Sequence, residues 1–322
     1  MAETWSPPLD FPAYLEAKAE VDEAGLNPAL YARFRRLLEA HPSPRLLDLG
    51  TGTGAMLRRL LGWELRGEPL LCGLDQDPAL LMPAARRIAQ ELERRGYRVQ
   101  SAGISEGSAA GTGASAVHRI SGRRGKRRIE VRLASGDLLA PDALRALEES
   151  RFGFLTAHAF LDLLPLDSAL AVIRGLMSPS GVLYATSNYD GSTALLPPFR
   201  DEAFEEALLS AYDRSMEARR VGGEATGGAH CGRRLYGALE RGGFRLLGAG
   251  SSDWNVLPEQ GRLAEGPALF LKSILAMIAA EGLRAGLAAE PLRLWHRERL
   301  ASIEAGRLGL IVHQLDMLAV RD

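Results

Sequence analysis

Cysteine is nearly absent. Cys72 and Cys231 are the two in 322 residues, and they fall in no metal-ligand spacing. A disulfide framework is therefore excluded, and a reducing, cytoplasmic setting is expected. Excess charge is also lacking: the net charge of -1 gives no global pull toward nucleic acid or anionic membrane. The apolar runs read as too short to cross a bilayer. The start, MAETWSPPLDF, shows neither the basic region nor the apolar core of a secretory leader. Aromatics make up 6% of the chain. None interleaves the basic run at 119–132, so that run lacks the stacking platforms of an RNA-binding surface and reads as a solvated hairpin. What remains is 46% hydrophobic and 25% charged, an ordinary globular composition. A chain this long buries most of its surface without staples.

The hydrophobic pattern alternates between two periods. Residues 10–41 predict two helices, with Leu30, Phe34, Leu37 and Leu38 on one face. Short buried strands are expected at 45–48, 70–74, 129–133, 152–157 and 181–187. Helices are expected through Leu61 and at 79–95, 141–150 and 166–177. Strand–helix alternation of this kind predicts a parallel sheet covered on both faces. The small-residue stretch 101–117 reads as a flexible loop or hairpin tip. After Ser187 the alternation breaks. Helices are expected over 198–242, 266–283 and 289–304, with strands at 244–247 and 308–313.

The strongest motif is Asp48-Leu49-Gly50-Thr51-Gly52-Thr53-Gly54, between a buried strand and a helix. Glycines there permit positive φ and close ligand approach, and the helix start presents free N–H groups. Gly50, Gly52 and Ala55 also satisfy a dinucleotide fingerprint, with Asp75 at the distance that an NAD site needs. The glycines alone do not choose between cofactors. Three features favour S-adenosylmethionine (SAM): Asp48 two residues before the first glycine, Asp137 closing the third strand, and no evident hydride-transfer machinery. Asp48, Asp75 and Asp137 each also read as a plain turn or helix cap.

The segments RLLDLGTGTGAMLRRLL, LLCGLDQDP, ASGDLL and FLTAHAFLDLLP resemble the successive motifs of class I SAM-dependent methyltransferases. The resemblance covers residues 40–190 well, and 243–250 and 306–320 loosely. It implies an α/β fold: a doubly wound, mostly parallel seven-stranded sheet with the last strand antiparallel and helical additions over the active site. It implies that Asp48, Gly50, Thr51, Gly52 and Gly54 form the methionine side of the cofactor site. Asp75 would take the ribose hydroxyls, Gln76 and Leu138 would flank the adenine, and Asp137 would accept from its amino group. Ala157 and His158 would end the fourth strand, with His158 near the sulfonium.

On the acceptor side the chain reads Ala157-His158-Ala159-Phe160-Leu161-Asp162. This departs from the Asn/Asp-Pro-Pro-aromatic pattern of enzymes that methylate a flipped base. His158 is a candidate base or positioning group. Asp162 is a candidate to orient it or the substrate, and Tyr189 to wall the pocket. Each also has a structural reading. We therefore expect a single elaborated domain: N-terminal helices 1–41, a SAM-binding core 42–191, helical cap segments 192–242 and 255–304, and last strands 243–254 and 305–322. The expected activity is methyl transfer from SAM to a small-molecule acceptor, leaving S-adenosylhomocysteine (SAH), with no metal and no membrane. The competing readings are an RNA- or protein-modifying methyltransferase, a non-catalytic SAM- or nucleotide-binding protein, and an NAD oxidoreductase.

Overall fold

The computed structural model describes residues 10–106, 116–140, 147, 149 and 151–322. Two capped helices open it. In α1 (Phe11–Gly25) the Asp10 side chain accepts from the Ala13 amide. In α2 (Pro28–Ala40) Asn27 does the same for Leu30. Both caps satisfy an N–H that the first turn leaves free. Leu30, Phe34 and Leu38 point inward as their spacing predicts, while Leu37 is exposed.

The core then alternates as expected. Strand β1 (Arg45–Leu49) leads to helix α3 (Ala55–Leu60), and β2 (Leu70–Asp75) to α4 (Pro78–Arg94). The 101–117 stretch, read as a loop or hairpin tip, belongs to a hairpin, with strand at both of its described ends. Strand β3 runs Arg98–Glu106 and β4 runs Ala116–Arg124, and they pair antiparallel. Residues 107–115 lie outside the described residues, as does most of the expected helix at 141–150. Next come β5 (Arg127–Ser135), β6 (Phe152–His158) and α5 (Leu166–Leu176).

Strand β7 (Met177–Leu196) is 20 residues long, well beyond the expected 181–187. The cause lies far away in sequence. Strand β12 (Gly309–Arg321) runs antiparallel to it along almost its whole length, so Asn188-Tyr189-Asp190-Gly191 sits within a ribbon. The remaining elements are α6 (Glu202–Glu217), the small hairpin β8 (Arg220–Val221) and β9 (Glu224–Ala225), α7 (Cys231–Arg241), β10 (Phe244–Ser251), β11 (Trp254–Val256), α8 (Glu265–Arg284) and α9 (Ala289–Glu304).

The sheet order is β10-β12-β7-β6-β1-β2-β5-β4-β3, with β11 on the side of β12. The seven strands from β10 to β5 run parallel except β12, which is antiparallel to both neighbours. This is the expected doubly wound, mostly parallel sheet with its last strand antiparallel. The expected seven strands become ten because the β3–β4 hairpin extends one edge and β11 adds a short strand.

Helix α8 corrects a second expectation. By length and composition it is apolar enough to cross a membrane, with mean hydropathy 1.4, and half of that window is buried inside the protein. It packs against α1, α6 and α9 in a separate core above the strand ends, with Trp295 and Phe270 fully buried. A buried ion pair ties the cap together: Arg299 and the Trp295 Nε1–H both donate to Glu205.

Candidate active site

At the carboxyl end of β1 the chain turns sharply, with positive φ at Gly50, Gly52 and Gly54. A side chain at Gly50 would run into the Phe160 ring, so glycine is required by space as well as by φ. The turn is held from two sides. The Thr51 amide donates to the Leu74 carbonyl. The Gly52 amide donates to Asp75 Oδ2 at 2.7 Å, and the Asp77 amide to Asp75 Oδ1 at 3.0 Å. Asp75 therefore fastens the glycine turn to the end of β2. Beneath the turn, Asp48 is 1% exposed and accepts from Thr51 Oγ1 at 2.8 Å and Thr156 Oγ1 at 2.7 Å. Burial pushes its carboxyl up to about 6, against those two hydrogen bonds.

These residues form one wall of a cavity of about 660 Å3, inside the roughly 300–1,000 Å3 range of small-molecule sites. Asp48, Gly50, Thr51, Gly52, Asp75 and Gln76 line it, as do Asp137, Leu138, His158, Asp162 and Tyr189. Gln76 and Asp137 are exposed at its edge, and Leu138 is buried. One Asp137 oxygen also accepts from the Leu139 amide at 2.9 Å, so the residue caps a turn as well. Gly54 and Ala157 are not among the lining residues. Gly54 is the N-cap of α3, where an added Cβ would meet Ile88, and Ala157 is wholly in the core.

The roof is α1, one of the helical additions expected over the active site, though none of its side chains was singled out in the sequence. Leu15 lies against Gly52. Glu16 bonds Thr53 of the glycine turn and pairs with Arg58. One helical turn on, Lys18 Nζ donates to both oxygens of Asp22, at 2.8 and 2.6 Å, and Trp254 Nε1 donates to Asp22 at 3.0 Å. Burial alone would raise the Asp22 carboxyl. Lys18 and His158 overcome that and hold it well below the usual carboxylate range.

His158 sits between these parts. Its Nδ1 is 2.6 Å from Thr186 Oγ1. Its Nε2 is 3.0 Å from Asp22 Oδ2, close enough for an ion pair but out of line for a hydrogen bond. Asp162 is not its partner: the orienting carboxylate is Asp22, from the roof. Asp162 instead lies in a 3₁₀ turn after β6, and its buried Oδ1 has no hydrogen-bond partner among the described residues. Burial raises its pKa. The Tyr189 hydroxyl donates to Asp213 at 2.8 Å and also contacts Thr193. Burial pushes its ionisation far up, so it acts as a neutral wall. Backbone strain gathers here as well: Ala159, just past the end of β6, and Ser187, within β7 beside it, have φ of 47° and 54°. The buried carboxylate of Asp316 holds the Ser187 and Asn27 amides in place.

No family model and no curated protein matches the chain. Similar solved structures include a proposed methyltransferase from Bacillus halodurans, 14% identical, covering 90% of this chain and 97% of its own, with a TM-score of 0.48. A proposed sarcosine dimethylglycine methyltransferase from Galdieria sulphuraria is 15% identical, covers 99% and 94%, and has a TM-score of 0.42. A geranyl diphosphate C-methyltransferase from Streptomyces coelicolor, held with Mg2+, geranyl diphosphate and SAH, is 11% identical, covers 91% and 79%, and has a TM-score of 0.42. Superposition at this level is loose, so the functional reading rests on the site's own residues.

Proposed function

We propose that this protein is a SAM-dependent methyltransferase acting on a small-molecule acceptor. One observation carries the reading. Asp75 ends β2, fastens the Gly52 amide, and lies on the wall of a cavity that continues from the strand ends to the chamber under α1 and α8. Open α/β sheets bind ligands at this place. The residues fit the cofactor. Gly50 and Gly52 bare the backbone toward the cavity, and Asp75 has lone pairs left beyond its two amide bonds for ribose hydroxyls. When bound, SAM supplies an electrophilic methyl group on a sulfonium.

The chain's own residues would then hold, align and exclude water. Asp48 sets a negative field beneath the turn once ionised, which suits a cationic cofactor. His158 ties the end of β6 to α1 through Asp22, so the roof and the strand end move as one. With both ring nitrogens close to protein partners, its role is better read as positioning than as proton transfer. Asp162 keeps a buried oxygen without a partner, and it is the side chain available to accept a proton from the acceptor.

The roofed cavity supports a small acceptor over RNA or protein. To test this, the protein is incubated with methyl-labelled SAM and cell extract separated into metabolite, RNA and protein fractions. Label is expected among the metabolites. Label in RNA or protein, or SAM binding with no transfer to any fraction, would overturn the reading.

A further inference from the structure

The charged side chains around the cavity fall into two sets. Five carboxylates have protein partners: Asp22 holds Lys18 and Trp254, Asp48 holds two threonine hydroxyls, Asp75 holds two backbone amides, and Asp77 and Asp137 each hold one amide of a following turn. Two lining groups have none. Asp162 Oδ1 is buried and unpartnered. The Arg219 guanidinium, just past α6, makes no ion pair or side-chain hydrogen bond among the described residues, and it is exposed at the cavity edge. The two do not pair with each other, although the charge of Arg219 lowers the Asp162 pKa. They share the chamber with the Tyr14 and Tyr212 rings and with the apolar side chains of Met277 and Ile278 on α8.

From this arrangement, and resting on the methyltransferase reading above, we infer that the acceptor is a zwitterion with an apolar body, an amino-acid-like molecule whose ammonium sits on Asp162 and whose carboxylate sits on Arg219. A buried carboxylate oxygen without a donor is costly, and a ligand ammonium removes that cost. Tyrosine rings beside a carboxylate suit an ammonium further, because their faces attract cations. An anion on the ligand completes Arg219 as a planar, forked partner. The Met277 and Ile278 wall takes the apolar remainder. A ligand with one charge would leave one of the two side chains unmatched.

The test uses calorimetry and thermal shift on the full chain loaded with SAH. The probes are L-phenylalanine and L-leucine, 2-phenylethylamine with the cation alone, and 3-phenylpropionate with the anion alone. A zwitterion is expected to bind, and each single-charge probe to bind at least about tenfold more weakly, the scale of one charge-assisted hydrogen bond. Asp162→Asn and Arg219→Met should each weaken the zwitterion by about tenfold or more while SAH affinity is retained. Retained SAH affinity also shows that the variants are folded. Phenylethylamine binding as tightly as phenylalanine would reduce the site to a cation pocket and overturn the inference. So would SAH binding with no zwitterion bound, or a zwitterion affinity indifferent to both substitutions. Failure of SAH itself to bind would instead overturn the methyltransferase reading, and the inference with it.

Discussion

Replacing Asp22 with asparagine should be the most informative single change in the roof. The carboxylate is 5% exposed and lies within 3.0 Å of Lys18, Trp254 and His158. An asparagine of the same shape keeps an acceptor for Trp254 but removes the charge. The Lys18 ammonium, itself 9% exposed, is then buried without a counter-ion. Breaking one side of a buried pair costs about 3–5 kcal/mol, mostly through the charge left behind. Lys18→Met together with Asp22→Asn removes both charges. The double variant should therefore be more stable than Asp22→Asn alone, a coupling that independent sites do not show.

Urea unfolding of wild type, both single variants and the double variant at pH 7 measures that coupling. The same proteins loaded with SAH should release it faster wherever the roof is loosened. The pH dependence has a definite sign. Asp22 is depressed in the fold, so its contribution is present above its unfolded pKa and is lost as acid takes the pH below about 4. A cost under about 1 kcal/mol for Asp22→Asn, or strict additivity in the cycle, would show that the roof is not held by this pair.

Three further outcomes follow from the site. Asp48 behaves oppositely to Asp22: burial raises its carboxyl from 3.8 to about 6, so its contribution is present at low pH and is lost as pH rises from about 4 through 6. Relative to wild type, Asp48→Asn should gain about 3 kcal/mol over that window, at about 1.4 kcal/mol per pH unit, and SAM affinity in wild type should strengthen over the same range; a flat difference in urea titrations across pH would refute both. Asp75→Ala removes the Gly52 anchor and the proposed ribose contacts, so SAM affinity should fall about 100-fold or more by calorimetry, and unchanged affinity with only lower stability would leave Asp75 as a cap. His158→Ala should lower the melting temperature and speed SAH release, with His158→Gln recovering much of both because an amide can still reach Thr186 and Asp22; equal behaviour of the two variants would remove the positioning role.

The cofactor half of this molecule was legible because its signals are local. Leu70–Leu74 is a short apolar run, Gly50–Gly54 is a turn that few residues other than glycine can make, and Asp77 caps α4 just ahead of Pro78. Each fixes its conformation with neighbours a few residues away. The β3–β4 hairpin showed only its tip, the small-residue stretch at 101–117, and not its strands. Its charged residues repeat on one face, as in Arg98, Arg123 and Arg128, which are cross-strand neighbours, and the pattern resembles loop. The long β7 was hidden for a similar reason. Asn188–Gly191 reads as the end of a strand, and pairing with β12, more than 100 residues on, carries the strand past it to Leu196.

The acceptor half was illegible for a chemical reason as well. Methyl transfer asks chiefly for alignment and a dry chamber, and many side chains supply those. The roof uses charges that look in sequence like an ordinary solvated helix face: Glu16, Lys18 and Asp22 on α1, and Glu205 facing Trp295 and Arg299. The faint trace was Lys18 and Asp22 four residues apart, the spacing of a helical ion pair. Exposed pairs of that kind contribute little. This one gains importance only because Trp254 and His158, 232 and 136 residues later in the chain, converge on the same carboxylate. Burial thus turns an ordinary surface pair into the fastening between α1, β6 and β11. It also explains why Asp162, from the same sequence neighbourhood as His158, is left without a protein partner and available to a ligand.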